Sequence, residues 1–469
     1  MPILEECTIY KVDKSSLAIT LPRGWLQGLV LGLLEALTAS EQEFSIATVV
    51  DMGNPGVMVS TEICLISPPS PFLISEKVFP NLGILYLSSV LKQQNNEVQV
   101  VDLAGEKALP QIDASIIGIT ATTSQFPLAV GILKELKQQN SKCWVVIGGP
   151  HASAVPDSCV EVGFDQVVVG EGEKAILQIA QGDRRKIIQG TMIEDLDTIP
   201  FPDRDSMDIK GYKYFIDGEE ASHMMTTRGC PYRCSFCSKF SWDRKVRYRS
   251  AENVIQEIDY VQEKYNYRAI MFFDDIFTLN KTRLYQTMHY LRQRDIVWRC
   301  FSRSNLLTEE LLEGMAKSGC REIGLGVESG SQKVLDTIHK GTTVEQNTQV
   351  LLWAKKYGIR IKAFLIIGLP SESYETVKAT EQWVANAKDI LDDNFGCDFT
   401  VLAPYPGADV FEKKEKYDIQ FDKYNWGDSW FKGHPGSYKA LVSTSQLSSN
   451  EITELRDKLE KKYKPELWK

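Results

Sequence analysis

Three thiols stand within eight residues in the segment Cys230-Pro-Tyr-Arg-Cys234-Ser-Phe-Cys237. The run before them, HMMTTRG, reads as a strand entering a turn. On such a loop three cysteines can converge on one iron–sulfur cluster, and because a four-iron cluster takes four ligands, one iron is left open to an exogenous group. Zinc is the competing reading. A structural zinc site shows four Cys or His ligands at familiar spacings, and no nearby fourth is evident; His223 would join only through the fold. The other seven of the ten cysteines are scattered singly, several in apolar runs such as EICLIS and KCWVVIG, and read as buried free thiols.

The elements that must position this loop follow from periodicity. Strand-like runs at 222–228, 268–274, 296–303, 322–328, 360–367 and 399–403 alternate with helical periods at 251–265, 280–294, 308–318, 343–357 and 373–388. Six such steps are too few for an eightfold barrel of about 250 residues and fit a partial, open one. An earlier alternation places strands at 62–67, 97–101, 115–120, 143–148 and 165–169, with helices at 81–93, 125–139 and 172–181. That order implies a parallel sheet covered by helices on both faces, and the nearly continuous Val/Ile runs fit strands buried on both sides. Ligands in such sheets bind beyond the carboxyl ends of the strands. Small residues sit there, in Thr120-Ala-Thr122-Thr-Ser, Gly148-Gly149-Pro150 and Gly170-Glu171-Gly172-Glu173, where they let a ligand approach the backbone.

The chain has 469 residues, which at about 100–200 residues per domain predicts two or three domains. Hydrophobic residues make up 43% and charged residues 25%, an ordinary globular balance that excludes disorder as the main state. No stretch of 18 apolar residues predicts a membrane span; the candidate at 25–37 is broken by Gln27, Gly28, Gly32 and Glu35. The N-terminus lacks the basic region of a signal peptide, so a cytoplasmic location is expected. The net charge is 53 − 62 = −9, which disfavours tight sequence-independent nucleic-acid binding. A local basic patch, Arg244, Lys245, Arg247 and Arg249, is the exception.

The CxxxCxxC loop, with Phe236 before the last cysteine, resembles that of the radical S-adenosylmethionine (SAM) enzymes. FFDDIFT (272–278), GVESGSQKVL (326–335), HKGTT (339–343), FLIIGLPSES (364–373) and APYPGAD (403–409) resemble that family's later motifs. Upstream, PNLGILYL (80–87), GITATTSQFP (118–127), GGPHAS (148–153) and VVGEGE (168–173) resemble the cobalamin-binding domain fused to one large subclass. The matches run in order over 62–410.

This resemblance implies an α/β architecture: a doubly wound, Rossmann-like cobalamin-binding domain followed by a partial (β/α)6 radical SAM barrel. The expected boundaries are an extension of unassigned role at 1–60, the cobalamin-binding domain at 61–194, a linker at 195–218, the radical SAM core at 219–407, and a region at 408–469 capping the barrel. That last region carries Phe411, Phe421, Tyr424, Trp426, Trp430, Phe431 and Tyr438, and ends in a charged amphipathic helix over 447–465. The cofactors implied are a [4Fe–4S] cluster, SAM and cobalamin. By motif, Cys230, Cys234 and Cys237 hold the cluster, Phe236 packs near the adenine, and Asp274, Arg303 and Glu328 contact SAM. The plain alternatives are a helix cap for Asp274, an ion pair for Arg303, a solvated acid for Glu328 and ordinary core for Phe236. On the cobalamin side the matching residues are Leu82, Gly83, Thr120, Thr122, Gln125, Gly149, Pro150, His151, Gly170, Glu171 and Gly172. The Asp-x-His-x-x-Gly motif of many cobalamin domains is missing; its nearest text, Asp102-Leu-Ala-Gly-Glu, has no His. Cobalamin with its lower base displaced and no protein His on cobalt is therefore expected, with His151 structural or at the cofactor edge.

The function this implies is transfer of a methyl group from methylcobalamin to an unactivated carbon of a small-molecule or peptide substrate, by way of a 5′-deoxyadenosyl radical. A cobalamin-dependent cyclase or rearrangement enzyme is the alternative. A tRNA methylthiotransferase would need a second cysteine triad, and Cys64 and Cys143 fall in buried-strand runs instead. A non-enzymatic corrinoid- or nucleic-acid-binding protein is opposed by the intact triad. The partners implied are the substrate, held between the two domains under 408–446, and an electron donor such as flavodoxin or ferredoxin; neither membrane nor nucleic acid is expected.

Overall fold

The computed structural model describes residues 8–11, 17–20, 62–71, 73–106, 108–238, 244–421, 436, 439–464 and 466. The chain forms two compact units, Met1–Ser60 and Thr61–Lys469. In the first, β1 (Thr8–Lys11) and β2 (Leu17–Thr20) pair antiparallel, Thr8 opposite Thr20. Tyr424, Trp426, Trp430, Phe431 and Tyr438 lie outside the described residues.

The second unit opens with a six-stranded sheet of β3 (Ile63–Ser67), β4 (Val98–Asp102), β5 (Ile116–Thr120), β6 (Trp144–Gly148), β7 (Gln166–Val169) and β8 (Ile187–Gln189). Its order is β4-β3-β5-β6-β7-β8, parallel throughout. All five residues of β3 are buried. Its alternate residues feed two cores: Cys64 and Ile66 pack with Ile117, Ile119 and Ile147 on one face, Ile63 and Leu65 with Ile116, Val146 and Val168 on the other. The chain leaves β3 towards β4 on one side and returns through β5 on the other, so the strand order reverses between β3 and β5. A crevice opens beyond the carboxyl ends of strands at such a point.

The second sheet contains β9 (Phe215–Ile216), β10 (Glu219–Met224), β13 (Ala269–Phe272), β14 (Val297–Ser302), β15 (Cys320–Glu328), β16 (Arg360–Ile367) and β17 (Phe395–Val401). Between β10 and β13 the short strands β11 (Thr227–Arg228) and β12 (Arg247–Tyr248) pair with each other, apart from it. The sheet order is β17-β16-β15-β14-β13-β10-β9. Its six parallel strands follow chain order and curl into a partial barrel left open between β17 and β9. The helices between them carry local signals: Ser250 caps the helix Ala251–Tyr265, and Asn266 ends it in the left-handed region. Thr343 and Gln346 form a capping box before Val344–Tyr357.

The short strands β8, β9 and β12 were not expected, and two expected strands take a different course. The run at 222–228 is split, because the carboxylate of Asp274 takes the backbone N–H of Thr226 (2.6 Å) and Thr227 (2.9 Å) and draws the chain out of the sheet after Met224. The last strand begins at Phe395, ahead of the expected 399; Gly396 and Asp398 are poor strand formers and hide its start.

The stretch 195–218 is ordered against both sheets. Asp203 accepts from Ser88 (2.6 Å), its N–H donates to Leu85 O (3.1 Å), and Tyr212 donates to Asp102 (2.6 Å). Leu85 and Ala104 from the first sheet's layer lie in the barrel's own core cluster. No helix among the described residues is long and apolar enough to cross a membrane.

Candidate active site

Beyond the carboxyl ends of β3 and β5–β7 lies a cavity of about 320 Å³. Its floor is apolar, from Leu65, Ile119, Val146 and Val168. Its rim brings together Gly83, Thr120, Thr122, Gln125, Gly149, Pro150, Gly170, Glu171 and Gly172, each marked in the sequence. Gly149 has φ +93°, and a Cβ there would stand 2.6 Å from Thr120 Oγ1, so only glycine fits. Gln125 is fixed by donating to Pro68 O (3.1 Å) and Ser70 Oγ (2.9 Å).

Two residues expected here do not line the cavity. Leu82 is buried in a cluster with Tyr86, Val90 and Leu196. His151 is fully buried, stacked on Phe126 at 3.9 Å, with its ring nitrogens 3.3 Å from Thr123 Oγ1 and 3.2 Å from Ser158 Oγ. Burial pushes its pKa down to about 4, so it is a neutral core residue. No histidine among the described residues lines this cavity.

A second cavity, of about 370 Å³, lies at the carboxyl ends of β14 and β15 and is lined by all three loop cysteines. Cys230 is buried, and Cys234 and Cys237 are half-buried. Later motifs hold the loop: Ser235 N donates to Ile338 O (2.9 Å), just before HKGTT, and Ser238 Oγ donates to Pro406 O (2.8 Å) in APYPGAD. Arg303 donates to Cys234 Sγ (3.3 Å) and to the Lys340 carbonyl, with its guanidinium 3.7 Å over the Tyr232 ring. Glu328 adopts φ +66° at the end of β15. Its carboxylate pairs with Lys340 Nζ at 2.5 Å, both buried. Phe236, Arg303 and Glu328 all line this cavity.

Asp274 does not. It is buried beneath the loop as the tether of Thr226 and Thr227. Burial pushes its carboxyl above the usual range, against the opposing pull of Arg283 and of those hydrogen bonds. Asp275 lines the cavity in its place, with Tyr232 and Lys340. Lys340 sits in a recognised motif, but its partner Glu328 is remote in sequence, so nothing local announced the pair.

A structural zinc site would need a fourth Cys or His beside the three thiols. His223, the fourth ligand zinc would require, packs on Phe79 at 4.8 Å and does not line the cavity. The thiols share a cavity instead, which suits a cluster in which each cysteine takes its own iron. Above it, β15 presents Gly324 and Gly326; a Cβ at Gly324 would lie 2.4 Å from the Phe301 ring. These glycines keep room for a ligand beside the thiols. Cys64 and Cys159 are fully buried in the first sheet's core, where burial pushes both thiols up to about 12.

Residues 75–180 match the B12 binding domain and residues 224–384 the radical SAM superfamily. An uncharacterised methyltransferase of Pyrococcus horikoshii is 33% identical over 386 residues, covering 75% of this chain and 82% of that protein. The chain belongs to the family of cobalamin-dependent radical SAM methyltransferases. The anaerobic magnesium-protoporphyrin IX monomethyl ester cyclase of Rubrivivax gelatinosus is 28% identical, covering 74% of this chain and 69% of that one. Among solved structures, the radical SAM methyltransferase TsrM of Kitasatospora setae, with cobalamin and a [4Fe–4S] cluster bound, superposes with a TM-score of 0.64 at 16% identity, covering 86% of this chain and 91% of that one. For this family member the radical SAM domain implies a [4Fe–4S] cluster and SAM, and the B12 binding domain implies cobalamin. Both cavities fit such groups: one is rimmed by glycines, the other carries the thiols.

Proposed function

We propose that this enzyme methylates an unactivated carbon of a small-molecule or peptide substrate held between its two cavities. The observation that carries the reading is the pair of cavities, one glycine-rimmed and one thiol-lined, each at the carboxyl ends of its own parallel sheet, the first lined by Arg228 of β11 and the second by Cys230 two residues on. When bound, the cluster and SAM supply a carbon-centred radical, and cobalamin supplies the methyl group.

The chain's own residues bind and orient. Cys230, Cys234 and Cys237 hold the cluster, and Arg303 donates to the Cys234 sulfur while bracing the Lys340 carbonyl. Glu328, oriented by Lys340, offers carboxylate oxygens to a ribose hydroxyl. Phe236 packs beside the adenine. In the first cavity, the backbone at Gly149 and Gly170 and the side chains of Thr122 and Gln125 would seat the corrin. An electron donor of the flavodoxin or ferredoxin type and a cytoplasmic location complete the reading. Likeness to a tetrapyrrole cyclase supports ring closure as the second reading.

SAM bearing a deuterated methyl group separates the two. Methylation is expected to give a product heavier by one labelled methyl, with S-adenosylhomocysteine and 5′-deoxyadenosine both released. An unlabelled, cyclised product with 5′-deoxyadenosine alone would replace methyl transfer by the second reading.

A further inference from the structure

The cysteine loop is rooted in a strand pair held by two carboxylates of the other cavity. β11 ends two residues before Cys230, and β12 lies past the loop's far side, with Arg228 paired to Arg247 and Thr227 to Tyr248. Arg228 Nη2 binds Glu173 at 2.5 Å, and its Nη1 lies 3.4 Å from Glu171. Arg247 grips Glu171 with both terminal nitrogens, at 2.5 and 3.0 Å, and donates to Ile193 O at 2.5 Å. Glu171 also accepts from Ile193 N at 2.7 Å. All four side chains are buried. Burial alone would raise the Glu171 pKa, but Arg247 and Arg228 hold it below the usual carboxylate range.

Domain contacts of this kind often serve only as glue. What sets this one apart is that Glu171, Glu173 and Arg228 themselves line the first cavity. The carboxylates stand on the Gly170–Glu173 turn, where Gly170 has φ +86°. From the barrel side, Asp274 fixes the same strand through Thr226 and Thr227. The root of the cysteine loop is thus suspended between the barrel and the wall of the first cavity.

We propose that Glu171 and Glu173 act as positioning residues that couple the two cofactor sites, so that cobalamin in the first cavity immobilises Arg228 and with it the cysteine loop. The inference rests on the cofactor assignments above but not on the fate of the methyl group. Filling the first cavity restrains the turn that holds Arg228, and a restrained root slows the loop motions that let iron escape. Coupling between binding equilibria is reciprocal, so an intact cluster also tightens cobalamin binding.

The test uses full-length protein with its cluster reconstituted anaerobically, with and without bound hydroxocobalamin. Iron extraction by a chelator is followed through the loss of cluster absorbance. Cobalamin is expected to slow extraction about fivefold or more in the wild type. Tyr212→Phe, which removes a domain contact away from the cavity, keeps that protection, whereas Glu173→Gln brings the ratio close to one. Should Glu173→Gln fail to hold its cluster, Arg228→Lys, which retains one contact of the pair, is expected to show intermediate protection. Equilibrium dialysis should show cluster-loaded wild type binding cobalamin more tightly than cluster-free wild type. Undiminished protection in Glu173→Gln or Arg228→Lys overturns the inference, as does a wild type that binds both cofactors without protection or whose cobalamin affinity is the same with and without the cluster. A wild type that binds no cobalamin overturns the functional reading, and this inference with it.

Discussion

Glu372 is fully buried in the turn after β16, where its Oε2 accepts from Gly368 N at 2.5 Å and Leu369 N at 3.3 Å. No cation among the described residues faces it, and burial pushes its pKa from 4.5 up to about 8 despite those two hydrogen bonds. The folded protein therefore keeps this proton up to about pH 8, whereas the unfolded chain releases it near 4.5. Between those values unfolding sheds a proton, so the group makes stability fall as pH rises. Below the unfolded value both states are protonated and its contribution is flat. Gln at this position keeps a carbonyl acceptor and cannot ionise. Glu372→Gln is expected to gain on the wild type as pH rises from 5 to 8, by on the order of 3 kcal/mol at the upper end. Thermal unfolding across that range checks it; a constant offset between the two proteins would show that Glu372 does not titrate there.

At the scale of elements, β15 shapes the second cavity with the residues it omits. A Cβ at Gly326 would lie 2.8 Å from both Glu328 Oε1 and Lys340 Nζ. Gly326→Ala must therefore disturb that ion pair without touching a cysteine. We expect the variant to keep its cluster absorbance and to bind SAM at least about tenfold more weakly, a cost of roughly 1.4 kcal/mol, measurable by equilibrium dialysis. Strands such as β3 and β7 were legible because short unbroken apolar runs have few other uses, and the cysteine triad because its spacing is distinctive. The glycines of β15 were not, since a glycine in a strand reads as weakness unless the facing side chains are known. Asp274 and Asp275 are adjacent and alike in sequence. Only the path of Thr226 and Thr227 shows that the first tethers backbone while the second faces the cavity. Arg247 of β12 reads as part of a local basic patch, and Arg228 of β11 carries no signal at all. Their partners Glu171 and Glu173 lie in the other sheet's layer, beyond any local pattern.

At the scale of the whole molecule, the layers of residues 61–469 are joined too closely to melt apart. The barrel's core includes Leu85 and Ala104 from the first sheet's layer. The connecting segment places Arg204, almost wholly buried, against Glu257 at 2.6 Å. Burial alone would raise the Glu257 pKa, but Arg249 and Arg204 hold it below the ordinary range. Removing one partner of such a buried pair costs about 3–5 kcal/mol, so neither layer unfolds without disrupting the other. A ligand that binds only the folded state at 100 times its Kd adds about 2.7 kcal/mol. If the layers were independent, cobalamin would raise the melting temperature of its own sheet and leave the barrel's unchanged. Because they share a core, cobalamin is expected to shift the loss of cluster absorbance and the loss of helical circular dichroism to the same higher temperature. Two transitions, with only one moved by cobalamin, would show that the shared core does not bind the layers into one cooperative unit.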